Sequence, residues 1–405
     1  MGVYFALNFA YDVYMSLTAL HKKLKTLYSY NVEQIGIEDS SVVIRNYRFH
    51  SDYVQQIGQC ADAAMAARFE AVAQADSLIA ENTDFVFPIV FPEANRSYSS
   101  AILVFHGINE RSWKKYLPWA HTLAERAQEP VILFPMAYHV NRGLRRWATP
   151  QAMQAQLERR QDLPNQDCST FANVAISQRI DEAPMRFLST AMQSAYDIEQ
   201  LARRIKEGKI AGLQPDARVD MFAYSIGAIL AQALLIANTD GLFEQSKLFL
   251  FCGGSHFSSM RGCTRLIMDK VAYTTLQSFF LDEFFRMAQE RSPFGAYFRE
   301  NALGRGFWTM LAPRCDASLF NKQMMRLGAG LQIVTLRDDT VIPSASIKEA
   351  FADVCEQTDA ELREYHFDFE YRHEMPFPIL NDASSVLVDA AFDEVFDEAA
   401  AFFRR

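Results

Sequence analysis

The chain has 405 residues, with 40 Lys+Arg against 49 Asp+Glu and a formal net charge of −9. That sign argues against a nucleic-acid partner, because binding to a phosphate backbone rests on a clustered positive surface. Half of the residues are apolar and 22% are charged, a globular balance that excludes wholesale disorder and fits one large domain or two medium ones.

Residues 1 to about 30 predict a helix, with Tyr4, Leu7, Tyr11, Tyr14, Leu17 and Leu20 as its apolar positions. Asp12 is present and no basic residue precedes His21 and Lys22, which is wrong for a secretory signal, so a cytoplasmic protein is expected. Residues 32–49 alternate in short runs around Glu38-Asp39-Ser40 and predict two paired strands. The alanine-rich stretch 61–80 predicts another helix. Residues 1–82 together are expected as an N-terminal extension packed on a core. From Asp84 onward apolar strands are expected at 85–91, 101–105, 131–134, 219–223, 247–251 and 331–336. Helices are expected at 113–127, 189–207, from Ala228, and from about 384 to 403. Residues 365–371 alternate and predict a half-covered strand near a sheet edge. Strand and helix in this alternation predict an α/β layout with a mainly parallel sheet.

Two intervals, 138–184 and 254–330, are too long for simple connections, and both leave strand carboxyl ends, where ligands bind in open α/β sheets. The second is expected to be a helical cap, with the core divided between 83–253 and 331–405. Residues 221–239 carry no charge, but the stretch opens as a strand and contains Ser225, Gly227, Gln232 and Asn238, so buried structure is expected rather than a membrane span. The cysteines Cys60, Cys168, Cys252, Cys263, Cys315 and Cys355 form no C-x-x-C pair, and free thiols are expected.

The sharpest motif is Ala223-Tyr224-Ser225-Ile226-Gly227, between a strand and a helix. A nucleophilic serine on such an elbow needs small residues two before and two after it, and the helix amino terminus favours an oxyanion. Helix capping by Ser225 is the alternative. Here the sequence resembles the α/β-hydrolase superfamily, whose elbow is G-x-S-x-G; Ala223 stands where glycine is usual. Residues 106–119, 134–142 and 170–179 are similar to a bacterial branch of that superfamily and imply no substrate.

The resemblance implies an α/β-hydrolase fold with Ser225 as nucleophile and the Ile226 N–H as one oxyanion donor. It places a second donor after His106-Gly107, at Ile108 or Asn109. The alternative there is that Asn109 and Ser112 cap the next helix while His106 is a buried hydrogen-bonding histidine. The superfamily order Ser, acid, His implies an acid in Arg337-Asp338-Asp339-Thr340-Val341-Ile342-Pro343. Four residues before the proline selects Asp339 over Asp338, against an ordinary turn carboxylate or a cap for the helix near Ser344. The base implied is His373, in Arg372-His373-Glu374-Met375-Pro376, with His366 as its rival. Asn109, Tyr224 and His256 are expected as substrate-binding residues, with His139 as a further pocket candidate.

Arg142, Arg145, Arg146 and Trp147 are read as a solvated basic turn rather than an anchor for an acidic group. Phe279, Phe280, Phe284 and Phe285 are read as helix core rather than an acyl tunnel. No P-loop, G-x-G-x-x-G or H-E-x-x-H occurs, so no cofactor, nucleotide or metal is expected. The expectation is a serine hydrolase acting on a small-molecule ester or related acyl compound. An acyltransferase, a peptidase, or a catalytically silent binding protein on the same scaffold stays open, and the oligomeric state is not legible.

Overall fold

The computed structural model describes residues 15–53, 74, 76–312, 317–379 and 385–405. The predicted helix before residue 15, and the alanine-rich stretch up to residue 73, lie outside them. Among the described residues nine strands form one sheet. They are β1 (Gln34–Gly36), β2 (Val43–His50), β3 (Asp84–Phe91), β4 (Tyr98–Phe105), β5 (Val131–Leu133), β6 (Leu213–Tyr224), β7 (Leu248–Phe251), β8 (Leu331–Leu336) and β9 (Glu361–Tyr365). Their order is β1-β2-β3-β5-β4-β6-β7-β8-β9. β1, β2 and β3 are antiparallel to their neighbours, and everything from β5 to β9 is parallel. This is the α/β-hydrolase fold. The chain leaves β4 for β5 on one side and returns to β6 on the other, so the switch point lies where β4 and β6 end.

The carboxyl-terminal ends of the central strands β4, β6 and β7 are apolar because helices cover both faces. Ala101, Leu103 and Phe105 of β4, with Met221 and Ala223 of β6, pack beneath helices Met185–Lys206, Gly227–Ala237 and Ser344–Gln357. The alternate residues Ile102, Val104, Phe222 and Tyr224 face helices Leu17–Leu27, Tyr116–Ala127 and Ser385–Arg404. Trp119 joins that second layer, with ring contacts to Phe222, Tyr224, Phe251, Phe377 and Phe396; truncating such a residue costs about 3–5 kcal/mol.

β1 and β2 belong to the sheet itself, β2 pairing with β3 over its whole length, so the boundary expected at 82/83 passes between two bonded strands. Residues 254–330 separate the neighbours β7 and β8 and are largely helical. Helix Ala302–Leu311 lies directly on Gly227–Ala237; a Cβ on Gly306 would stand 2.3 Å from the Ala233 carbonyl oxygen. Phe279, Phe280 and Phe284 are buried in this packing. No helix among the described residues is long and apolar enough to cross a membrane, and 221–239 is the buried end of β6 with the following helix.

The edge strand differs from expectation. β9 stops at Tyr365 because its parallel partner stops at Leu336, where the chain turns toward Asp339. The alternating aromatics beyond it stack on one another instead, Tyr365 on Phe367 at 6.0 Å and Phe367 on Phe369 at 5.3 Å.

Candidate active site

Ser225 follows β6 directly, with φ +60°, a left-handed conformation that non-glycine residues adopt only when their surroundings enforce it. The surroundings here are two strand ends. A Cβ on Gly227 would stand 2.6 Å from the Phe105 carbonyl oxygen, and one on Gly253 would stand 2.6 Å from that of Ser225. The elbow is therefore wedged between the loops after β4 and β7, and larger residues would force it out. Ser225 makes no helix cap: helix Gly227–Ala237 has Ile226 at its N-cap position and no side-chain cap. The serine Oγ lies instead 2.6 Å from His373 Nε2.

His373 Nδ1 lies 2.6 Å from Asp339 Oδ2. The other carboxylate oxygen accepts from the N–H groups of Val341 and Ile342, both at 2.9 Å, which fixes the carboxylate plane. Ser225, His373 and Asp339 are each at most 4% exposed. The competing pair stands apart at the surface, His366 Nδ1 3.2 Å from Asp338 Oδ2. With Nδ1–H directed at a carboxylate, the imidazole presents its Nε2 lone pair to the serine.

The loop after β4 lies against Ser225. A Cβ on Gly107 would stand 3.5 Å from Ser225 Cβ and 3.3 Å from the Tyr224 ring. Neither the Ile226 nor the Ile108 N–H makes a hydrogen bond among the described residues, and the helix amino terminus adds partial positive charge beside Ser225. His106 is fully buried, donating from Nδ1 to the Gly107 carbonyl (2.8 Å) and accepting at Nε2 from the Met136 N–H (3.0 Å). Burial holds its pKa well below the ordinary value, so this ring is a neutral brace.

A buttress absent from the motif reading stands behind the site. The Gly107 N–H donates to the Tyr116 hydroxyl, which donates to Glu110, both at 2.9 Å. Lys115 pairs with Glu110, donates to the Glu374 carbonyl at 3.2 Å, and sits 4.7 Å over the Tyr224 ring. The spacing of these residues follows no motif, so no sequence signal pointed to them.

Of the expected substrate-binding residues, Tyr224 is buried, with its hydroxyl on the His373 carbonyl and its ring stacked on that imidazole at 5.7 Å. Asn109 donates both amide hydrogens, to the Ala172 and Leu266 carbonyls at 2.6 Å each, and so ties the two long intervals to the loop after β4. His256 packs on Phe320 at 4.9 Å.

Two cavities of about 510 Å³ each share a wall here, made by Ile108, Asn109, Glu110 and Ser112. The first is lined by Ser225, His373, Ile108, Glu110, Leu266 and Glu374. The second is lined by Ile108, Ile226, Ile229, Leu230, Phe307 and Leu311, with His139 farther along. His139 donates from Nδ1 to the Ala137 carbonyl, and burial pushes its pKa down to about 4, so it is neutral. His256 lines neither cavity.

The basic turn needs correction. Arg142 is fully buried, paired with Asp197 at 2.6 Å and donating to the Asn82 and Pro135 carbonyls. The loop leaving β5 exposes carbonyls inside the protein, and one guanidinium satisfies several of them at once. Arg145 and Arg146 are exposed as expected. Among the described residues no cluster of His, Cys, Asp or Glu could hold a metal ion.

Among solved structures the chain is similar to a mutant of the esterase rPPE, at 11% identity and TM-score 0.43, over 95% of this chain and 88% of that one. Carboxyl esterase 2 from the mycorrhizal fungus Tuber melanosporum is similar at 11% identity and TM-score 0.43, over 80% and 81%. An esterase from Rhizomucor miehei is similar at 13% identity and TM-score 0.40, over 80% and 78%. At these scores the similarity adds nothing to the strand order, on which the fold rests. No curated protein matches the chain. A family model matches residues 15–404, nearly the whole chain, and the protein belongs to that family, the family of unknown function DUF6051.

Proposed function

We propose that the protein is a serine hydrolase that cleaves a carboxylic ester or related acyl compound through Ser225, His373 and Asp339. The observation that carries this is the unbroken buried line from hydroxyl to imidazole to carboxylate, with both contacts at 2.6 Å. His373 Nε2 takes the serine proton as Oγ bonds to the substrate carbonyl carbon, and Asp339 stabilises the imidazolium that forms. The oxyanion accepts from the N–H groups of Ile226 and Ile108, each such donor supporting about 10²–10³ in rate. His373 then gives its proton to the leaving oxygen, and water repeats the sequence on the acyl-enzyme. Residues 254–330 act as the cap, since Leu266 borders the first cavity and Phe307 the second.

The test is a screen of p-nitrophenyl esters run beside Ser225→Ala, with mapping of the fluorophosphonate-modified peptide. Ser225→Ala is expected to lower kcat by about 10⁶ where the triad acts as a unit, and the adduct should fall on Ser225. A folded Ser225→Ala variant with near-full activity would overturn the proposal.

A further inference from the structure

The two cavities flank the nucleophile asymmetrically. Ser225 and His373 line the first and not the second, Ile226 lines the second and not the first, and Ile108 lines both. On the hydrolase reading, on which this inference rests, that asymmetry orients the substrate. The proton that His373 Nε2 takes from Ser225 must pass to the leaving atom, so the leaving group lies on the imidazole side, in the first cavity. The carbonyl oxygen turns to the N–H groups of Ile226 and Ile108. The remaining substituent of the carbonyl carbon then passes these two residues into the second cavity.

We propose that the second cavity is the acyl chamber and that the substrate class is esters of extended, apolar acyl chains. Its near wall is made by Ile226, Ile229 and Leu230 of the nucleophile helix, Phe307 and Leu311 of the capping insertion, and Met136 after β5. An apolar cavity of about 150 Å³ accommodates a benzene ring; at about 510 Å³ the chamber has room for several such groups, and an acetyl group leaves most of it unfilled. Four guanidiniums border the chamber: Arg145 is exposed, and Arg111 is taken up by the Trp147 and Ala172 carbonyls at 2.5 and 2.7 Å. Arg179 holds Asp76 through two 3.0 Å bonds, and Arg186 pairs with Glu182 at 2.9 Å. The three guanidiniums turned inward thus have partners within the protein, which leaves burial of methylenes as the source of selectivity.

The experiment measures kcat/KM for p-nitrophenyl acetate, butyrate, hexanoate and octanoate, with labelling of Ser225 by short-chain and long-chain alkyl fluorophosphonates. Each buried methylene is worth up to about fourfold, so octanoate should exceed acetate by at least about 100-fold, and the long-chain probe should label faster. Ala191 borders the chamber from helix Met185–Lys206 and is half-buried. Ala191→Phe projects a ring into the chamber and should cut the octanoate-to-acetate ratio at least tenfold, while thermal unfolding reports its folding. A flat or falling chain-length series overturns the chamber assignment; with a Ser225 adduct and acetate hydrolysis intact, the hydrolase reading survives that failure. No hydrolysis of any ester and no adduct in folded protein overturns both.

Discussion

Replacing Asp339 by Asn preserves the shape of the side chain and reverses one hydrogen bond. Oδ1 of Asp339 accepts from two backbone N–H groups, of Val341 and Ile342, both at 2.9 Å. In Asp339→Asn the amide oxygen must keep that position, because an NH₂ group there would face two donors. The NH₂ group therefore falls where Oδ2 now lies, 2.6 Å from His373 Nδ1. Two donors cannot share that contact, so the imidazole gives up its Nδ1 proton and carries one on Nε2, facing Ser225 Oγ. On the proposed mechanism His373 then has no lone pair for the serine proton. An equivalent tautomer change in a serine triad lowers kcat by about 10⁴, or about 5.5 kcal/mol of barrier. The fold should persist, since both backbone hydrogen bonds and the side-chain volume are retained. The assay is kcat on the best p-nitrophenyl ester beside thermal unfolding of the same preparation. An Asp339→Asn variant with unchanged Tm and kcat within tenfold of the parent would refute the tautomer argument.

Two further outcomes are expected away from the serine. Arg142→Met leaves Asp197 buried without its partner, both side chains being inaccessible to solvent, and should cost about 3–5 kcal/mol in urea unfolding; a loss under 1 kcal/mol contradicts that account. The His121 imidazole is pushed down to about 4, first by burial and then by the charges of Lys23 and Arg126, whereas an unfolded histidine titrates near 6.5. Below pH 6.5 the unfolded chain therefore binds a proton that the folded chain excludes. This contribution erodes stability as pH falls from about 6.5 toward 4, by up to about 1.4 kcal/mol per pH unit. Urea unfolding at pH 7, 6 and 5 should give His121→Gln a shallower loss than the parent; equal slopes would show that the imidazole is protonated in the folded state too.

Motif reading reached the parts of the site that backbone geometry forces into sequence. Ser225 needs small neighbours because the ends of β4 and β7 press on its turn, so Ala223 and Gly227 were visible. The superfamily resemblance supplied the rest: its spacing before Pro343 separated Asp339 from Asp338, and a loop position after the expected last strand separated His373 from His366. The strands were legible where both faces are covered, because continuous apolar runs record that burial. Residues 365–371 misled because stacked aromatic rings share the period of a strand, and only the absence of a partner beyond Leu336 distinguishes them. Arg142 misled for a related reason. A guanidinium reads as solvated unless the carboxylate that accompanies it inward is known, and Asp197 lies 55 residues away in sequence. The Tyr116–Glu110–Lys115 buttress is local in sequence, but it depends on the path of the loop after β4, which no motif spacing records.

That buttress explains how a loop can hold the proposed base in place. His373 lies on a turn that belongs to neither sheet nor helix, and loops are ordinarily the mobile part of a fold. Three elements grip this one through side chains. Tyr224, at the end of β6, bonds the His373 carbonyl; Lys115, at the start of helix Tyr116–Ala127, bonds the next carbonyl; Thr264, in the insertion after β7, bonds the Glu374 carboxylate. Each grip starts from a segment that also borders Ser225 or its cavity. Tyr224 precedes the serine, Lys115 leads through Glu110 and Tyr116 to the Gly107 N–H, and Thr264 leads to Leu266 on the cavity wall. A displacement of the imidazole is therefore resisted by the groups that position Ser225 and the loop after β4. Preorganisation is shared among them, and loosening any one grip should lower kcat before it lowers Tm.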